Sequence, residues 1–155
     1  MTNTINVKGN IKENYRTEIE CSHNFVLDQP PSAGGQGEGP NPLELLLSSL
    51  AGCFCAIGKI ISNQNQLNIR GMNVKIEGDI NKSYLLGKTR VGRAGFTEIR
   101  SYVTVDADMT DHEKADFVKE IERRCPIADN MLNSTELITL MVKKEKDGVL
   151  DETLI

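Results

Sequence analysis

The sequence predicts an α+β protein organised around one buried central helix, and three observations carry that reading. A long apolar segment, Gly39–Ile61, opens with helix-start signals. Two later segments, 72–80 and 97–106, alternate apolar and polar residues as strands do. A charged amphipathic helix then follows, so the elements run strands, helix, strands, helices, strand rather than in regular βαβ alternation.

The chain of 155 residues suits one domain, 1–155, with a core of its own or a subunit of an oligomer. A hydrophobic content of 39 % with 26 % charged residues fits a globular protein. The net charge of −4, with Lys and Arg scattered, excludes a basic nucleic-acid footprint. The first fifteen residues, MTNTINVKGNIKENY, lack the apolar core of a signal peptide, which predicts a cytoplasmic protein. The uncharged stretch between Glu44 and Lys59 falls short of the roughly 20 apolar residues of a membrane span, so a core helix is expected there and no membrane partner. Four cysteines, Cys21, Cys53, Cys55 and Cys125, are then core residues, metal ligands or redox groups rather than a disulfide framework.

Each element has its local signals. Ile5 and Val7 alternate with polar residues, Gly9-Asn10 predicts a turn before Ile11, and 15–28 reads as one or two short strands. The Pro/Gly-rich segment DQPPSAGGQGEG, 28–39, predicts a connecting loop, with a flap over a pocket as the alternative. Asn41 as N-cap, Pro42 at the first position and Glu44 three residues after the cap start the central helix. Its apolar residues lie nearly all round the axis, which predicts burial on most sides. Gly87, Gly92 and Gly95 suggest a loop over 83–96. From Thr110 a second helix has an acidic first turn and a basic last turn, with Ala115, Phe117, Val118 and Ile121 as its apolar stripe. Cys125-Pro126 breaks it, and Pro suits the first position of a third short helix with Cys125 at its N-cap. A last strand is expected over 136–144 and a solvated tail over 145–155.

The chemistry has to come from the cysteines. A thiol at a helix N-terminus beside Arg123 and Arg124 has its thiolate favoured, which makes Cys125 the more reactive by position; a modest helix cap is the alternative. Cys53, inside an apolar helix, can be an ordinary core residue. Cys53 and Cys55 are about 200° apart on a regular helix, so they cannot face one site together. Cys21 and His23 would share one face of a strand, but no C-x-x-C accompanies them and no metal site is expected. His112 sits in a charged helix opening and reads as a surface residue. Hydrolase triads and phosphate loops find no motif here.

The segment GPNPLELLLSSLAGCFCA, followed about seventy residues later by RRCPIADNM, resembles the OsmC/Ohr family of osmotically inducible and organic hydroperoxide resistance proteins. The lead-in DQPPSAGGQGEGPNP and the segment RVGRAGFTEIR are similar to its OsmC-like branch, and the likeness spans roughly 24–144. The resemblance implies the OsmC-like fold: antiparallel sheets around a long buried helix, in an intertwined homodimer with each site near the interface. It implies that Cys53, in LAGCF, is the peroxidatic thiol and Cys125, in RRCP, its resolving partner, which reverses the order of reactivity read from position. An organic hydroperoxide would be the substrate and an external dithiol the reductant, with no cofactor. In the peroxidase branch a Glu ten residues before the cysteine works with an Arg to hold the thiolate. Here that position is Leu43, Glu44 follows it in a capping role, and Arg16, Arg93 and Arg124 are the candidate arginines. An OsmC-like module that binds a small molecule or partner without peroxidase activity is the alternative.

Overall fold

The central helix α1 runs from Pro42 to Gln64 in the computed structural model, which describes residues 2–144 and 150–154. Its start follows the sequence signals. Asn41 Oδ1 accepts from the N–H groups of Leu43 and Glu44, and Glu44 reaches back to accept from Asn41 N, so a full capping box satisfies the first turn. At its exit the buried Ser62 donates to the carbonyl of Leu67 at 2.9 Å, and Gln66 turns the chain with φ 53°.

Before α1 lies a three-stranded antiparallel meander of β1 (Lys8–Ile11), β2 (Thr17–Glu20) and β3 (Phe25–Leu27). The turn expected at Gly9-Asn10 is instead inside β1, where Gly9 pairs with Ile19 and leaves room for its side chain. The reversal falls after Ile11, with Asn14 taking the positive φ of 53°. After α1 come β4 (Ile69–Asp79), the short helix α2 (Lys82–Leu85) and β5 (Glu98–Ala107), and β4 and β5 form a long antiparallel hairpin. The loop expected over 83–96 thus contains part of α2, capped by Asn81.

Two further helices close the core. In α3 (Asp111–Arg124) Thr110 and Glu113 form a second capping box, and Phe117 and Ile121 are buried. Ala115, expected on the buried stripe, faces outward. The chain breaks at Cys125 and restarts at Pro126 as α4 (Pro126–Leu132). The last strand is shorter than expected, β6 covering Leu140–Lys144, and it pairs with β7, Leu150–Leu154, inside the segment read as a tail. Residues 145–149 and 155 lie outside the described residues.

The core lies where α1 crosses the inner face of the β4–β5 hairpin and meets α3 and α4. Leu50, Phe54 and Ile61 of α1 pack with Phe117, Ile121, Cys125 and Ala128, and Met72, Val74, Ile76, Val103 and Val105 line the sheet side. Gly58 makes the crossing close: a Cβ there would stand 2.8 Å from Met72 Cε and 3.1 Å from Ile121 Cδ1. The burial expected all round α1 holds on this one face within the chain. On the other, Ile60 is 43 % exposed.

Candidate functional site

Packing α1 against the α3–α4 joint brings Cys53 and Cys125 together. Cys53 lies between Leu50 and Phe54 on the inward side of α1, half-buried against the core. Cys125 is fully buried at the break between the helices, with an extended backbone of φ −80° and ψ 113° forced by the following proline. Its N–H donates to the carbonyl of Glu122 at 3.2 Å, and its Sγ accepts from Ala128 N at 3.4 Å. The two sulfurs are bonded as a disulfide across 72 residues, with Cα atoms 6.1 Å apart, ordinary spacing for such a link.

The other cysteines point elsewhere. Cys55 is exposed on the opposite side of α1, beside a cavity of about 260 Å³ that Lys59, Arg70 and Met72 also line. Cys21 donates its thiol to the carbonyl of His23 at 3.1 Å, and His23 Nδ1 lies 3.3 Å from Ser22 Oγ. Among the described residues no three side chains of His, Cys, Asp or Glu converge as metal ligands. His112 is exposed beside Asp116.

Leu50 and Phe54, which flank Cys53 on α1, also line a largely apolar groove of about 440 Å³ between α1, α4 and the start of β5; the paired cysteines themselves are not among its lining residues. Leu43, Leu46, Leu50 and Phe54, spaced along one side of α1, form its floor, and Phe96, Ile99 and Met131 its walls. Phe96 is held by Gly78, where a Cβ would stand 2.6 Å from the ring. Arg93 and Glu122 stand among the lining residues. In the sequence these residues belong to an apolar girth nearly all round α1, a pattern that does not single out a groove from a packed core.

The three candidate arginines are placed differently. Arg16 bonds Glu18 and Glu38, at 2.6 Å and 2.7 Å, and these carboxylates raise its pKa further. Arg124 donates to Gln64 Oε1 at 2.9 Å, near the far end of α1. Arg93 reaches the groove, and among the described residues none of the three hydrogen-bonds Cys53.

One residue of the entrance loop escaped the sequence reading. Asp28 is 2 % exposed and accepts from the N–H groups of Gln29, Gln36 and Glu38 at 2.7–3.2 Å. Burial pushes its carboxyl up, but the backbone donors of Gln36, Glu38, Gln29 and Gly37 outweigh that and hold it below the usual carboxylate range. Gly35 and Gly39 let the loop pack this closely, since a Cβ would come within 1.9 Å of Gln29 O and 2.0 Å of Val26 O. The segment 28–39 is therefore a pinned connector into α1. An acidic residue beside a Gly-rich run was the available signal, but its N–H donors are spread over eight to ten residues.

Comparison with known proteins agrees with this architecture. The family model described as OsmC-like protein matches residues 35–140. An uncharacterized protein of Methanocaldococcus jannaschii is 29 % identical over 103 residues, and the chain spans about half, 50 %, of that relative's length. Among solved structures, an OsmC-like protein from Mycoplasma pneumoniae matches with a TM-score of 0.74 at 19 % identity, covering 86 % of this chain and 91 % of that one. An organic hydroperoxide resistance protein OsmC from Legionella pneumophila matches at 0.64 and 17 % identity, covering 84 % and 90 %. One from Elizabethkingia anophelis with bound thiocyanate matches at 0.65 and 15 % identity, covering 86 % and 91 %. At these identities the structures speak to the fold, while the family match spans over two thirds of the sequence. The chain belongs to the OsmC-like protein family.

Proposed function

We propose that the protein is a thiol-dependent peroxidase that reduces organic hydroperoxides, with Cys53 as peroxidatic and Cys125 as resolving cysteine. The observation that carries this reading is the meeting of these two thiols, 72 residues apart, while Cys21 and Cys55 lie elsewhere. The names of the Legionella and Elizabethkingia structures support it. The Cys53 thiolate attacks the terminal peroxide oxygen, the O–O bond breaks, and the alcohol leaves after taking a proton. Cys53 is then a sulfenic acid. The Cys125 sulfur attacks it, water leaves, and the disulfide forms. An external dithiol, itself oxidised to a disulfide, returns both thiols by exchange in a reducing cytoplasm. The apolar groove beside Leu50 and Phe54 suits an organic rather than a fully polar peroxide. A second copy of the chain would cover the exposed outer face of α1, so the working unit is a homodimer.

Leu43 favours a second reading. Where the resemblance implies a carboxylate that tunes Cys53, this chain puts a leucine into the groove floor. A protein that binds an apolar ligand without turnover would need no such group. The test is consumption of cumene hydroperoxide with dithiothreitol as reductant. Peroxidase activity requires turnover well above that of a free thiol and its loss in Cys53→Ser. Turnover no faster than a free thiol supports the binding module.

A further inference from the structure

The connection between β4 and β5 is far longer than a hairpin needs. A turn of about two residues can reverse antiparallel strands, yet here the whole of 80–97 separates Asp79 from Glu98. The hairpin closes at Thr97, whose N–H donates to the carbonyl of Asp79 at 2.8 Å, and beyond that bond the chain forms an ordered tip. Its first half is the single turn of α2. Asn81 Oδ1 accepts from the N–H of Ser83, and the N–H groups of Leu86 and Lys88 donate back to the carbonyls of Lys82 and Ser83. The tip stands clear of the rest of the chain. Gly87 and Gly92 both take a positive φ, and a Cβ on either would meet nothing within 4 Å. Leu85, Leu86 and Val91 are 58 %, 61 % and 85 % exposed, with Tyr84 beside them at the surface.

The charge of the tip is as one-sided as its apolar exposure. Between Ile80 and Thr97 stand Lys82, Lys88, Arg90 and Arg93 and no acidic residue, in a chain whose net charge is −4, so the remainder is more acidic still. Among the described residues the ion pairs engage other cations and none of these four. The acidic residues that flank the tip in sequence, Asp79 and Glu98, lie at its base and are both held by Arg100.

We infer that the tip of the β4–β5 hairpin, residues 82–91, docks the protein onto an anionic lipid bilayer, at its surface and without a span. Lys82, Lys88 and Arg90 meet the lipid phosphates, while Leu85, Leu86 and Val91 enter the boundary between headgroups and acyl chains. A bilayer answers both properties of the tip at once, since it attracts the cations and takes apolar side chains out of water. A folded protein partner fits less well, because a stable interface buries about 800 Å² on each side and one projecting turn offers little of that. The acidic remainder of the chain is repelled by the same surface, which sets a tip-first orientation. Docking of this kind needs no redox step and is independent of the peroxidase reading.

The experiment is co-sedimentation of the full-length chain with sucrose-loaded vesicles, of phosphatidylcholine alone or of phosphatidylcholine mixed equally with phosphatidylglycerol. Binding is expected on the anionic vesicles only and should fade as salt rises. Lys88→Gln and Arg90→Gln should each weaken it about fivefold, the scale of one cation at such a surface. Leu86→Ser should also weaken it and leave Tm unchanged, because the side chain is exposed. The chain holds no tryptophan, so Leu86→Trp supplies a sole reporter whose emission should shift to the blue on anionic vesicles. Equal binding to both vesicle types, binding that survives Lys88→Gln combined with Arg90→Gln, an unshifted Leu86→Trp emission, or no binding at all would overturn the inference. Retention on immobilised polyglutamate with none on vesicles would assign the tip to an acidic protein and overturn it equally.

Discussion

Cys125 Sγ stands 3.4 Å from the backbone nitrogen of Ala128, so the sulfur that joins Cys53 also caps α4. The two roles separate in the reduced protein. Cys125→Ser keeps an oxygen acceptor at the N-cap, whereas Cys125→Ala removes it. Urea unfolding under reducing conditions should find the serine variant more stable by about 1 kcal/mol. Equal stability would show that the cap contributes nothing.

Ile121 is fully buried where α3 meets α1, in contact range of the Gly58 crossing. Ile121→Ala should cost about 2–5 kcal/mol, because the rigid crossing cannot collapse around the lost atoms. On the same helix Ala115 is exposed, and Ala115→Ser should stay within about 0.5 kcal/mol. Denaturant midpoints at constant slope compare them.

Asp28 ties folding of the entrance loop to pH. Its carboxyl is held below its ordinary value when folded, so its contribution is fully present above the unfolded carboxylate range. That contribution is lost as pH falls through the lower, folded value. Asp28→Asn turns one acceptor oxygen into a donor facing other donors and should lower Tm at pH 7. The Tm values of variant and wild type should converge as pH falls below the usual carboxylate range. A constant gap from pH 7 to pH 2 would refute this role. Gly35→Ala should also destabilise, because Gln29 O is backbone and cannot swing away from the new Cβ.

The outer face of α1 yields an oligomer test. If a second copy covers it, light scattering should give twice the chain mass, and Ile60→Glu, a charge at a position 43 % exposed in the single chain, should shift the protein toward monomer. Monomeric wild type would remove the homodimer from the proposed function.

Much of this architecture could be read from local signals. Both capping boxes, Asn41 with Glu44 and Thr110 with Glu113, and the break at Cys125-Pro126 are short-range patterns, and the helices begin at those residues. Gly9-Asn10 misled because a glycine opposite a bulky Ile19 in a strand looks like a turn residue when its partner is unseen. β7 was missed because Leu-Asp-Glu-Thr-Leu carries acidic residues of low strand propensity, and pairing with β6 overrides it. The apolar girth of α1 told of burial but not of what covers each face. Of the site, the two thiols came from resemblance to a family, since nothing local in the sequence joins residues 72 apart. Arg93 was one of three candidates, and only the fold sets it on the groove while committing Arg16 and Arg124 elsewhere.

In the proposed cycle Cys53 meets the peroxide and Cys125 resolves it. The most direct measurement adds one equivalent of cumene hydroperoxide to fully reduced protein, with rapid quench, intact mass and peptide mapping. The expected result is loss of two hydrogens with a Cys53–Cys125 linked peptide, a sulfenic acid trapped on Cys53 in Cys125→Ser, and no reaction in Cys53→Ser. Unchanged mass, or oxidation at Cys21 or Cys55 with Cys53 still free, would contradict it.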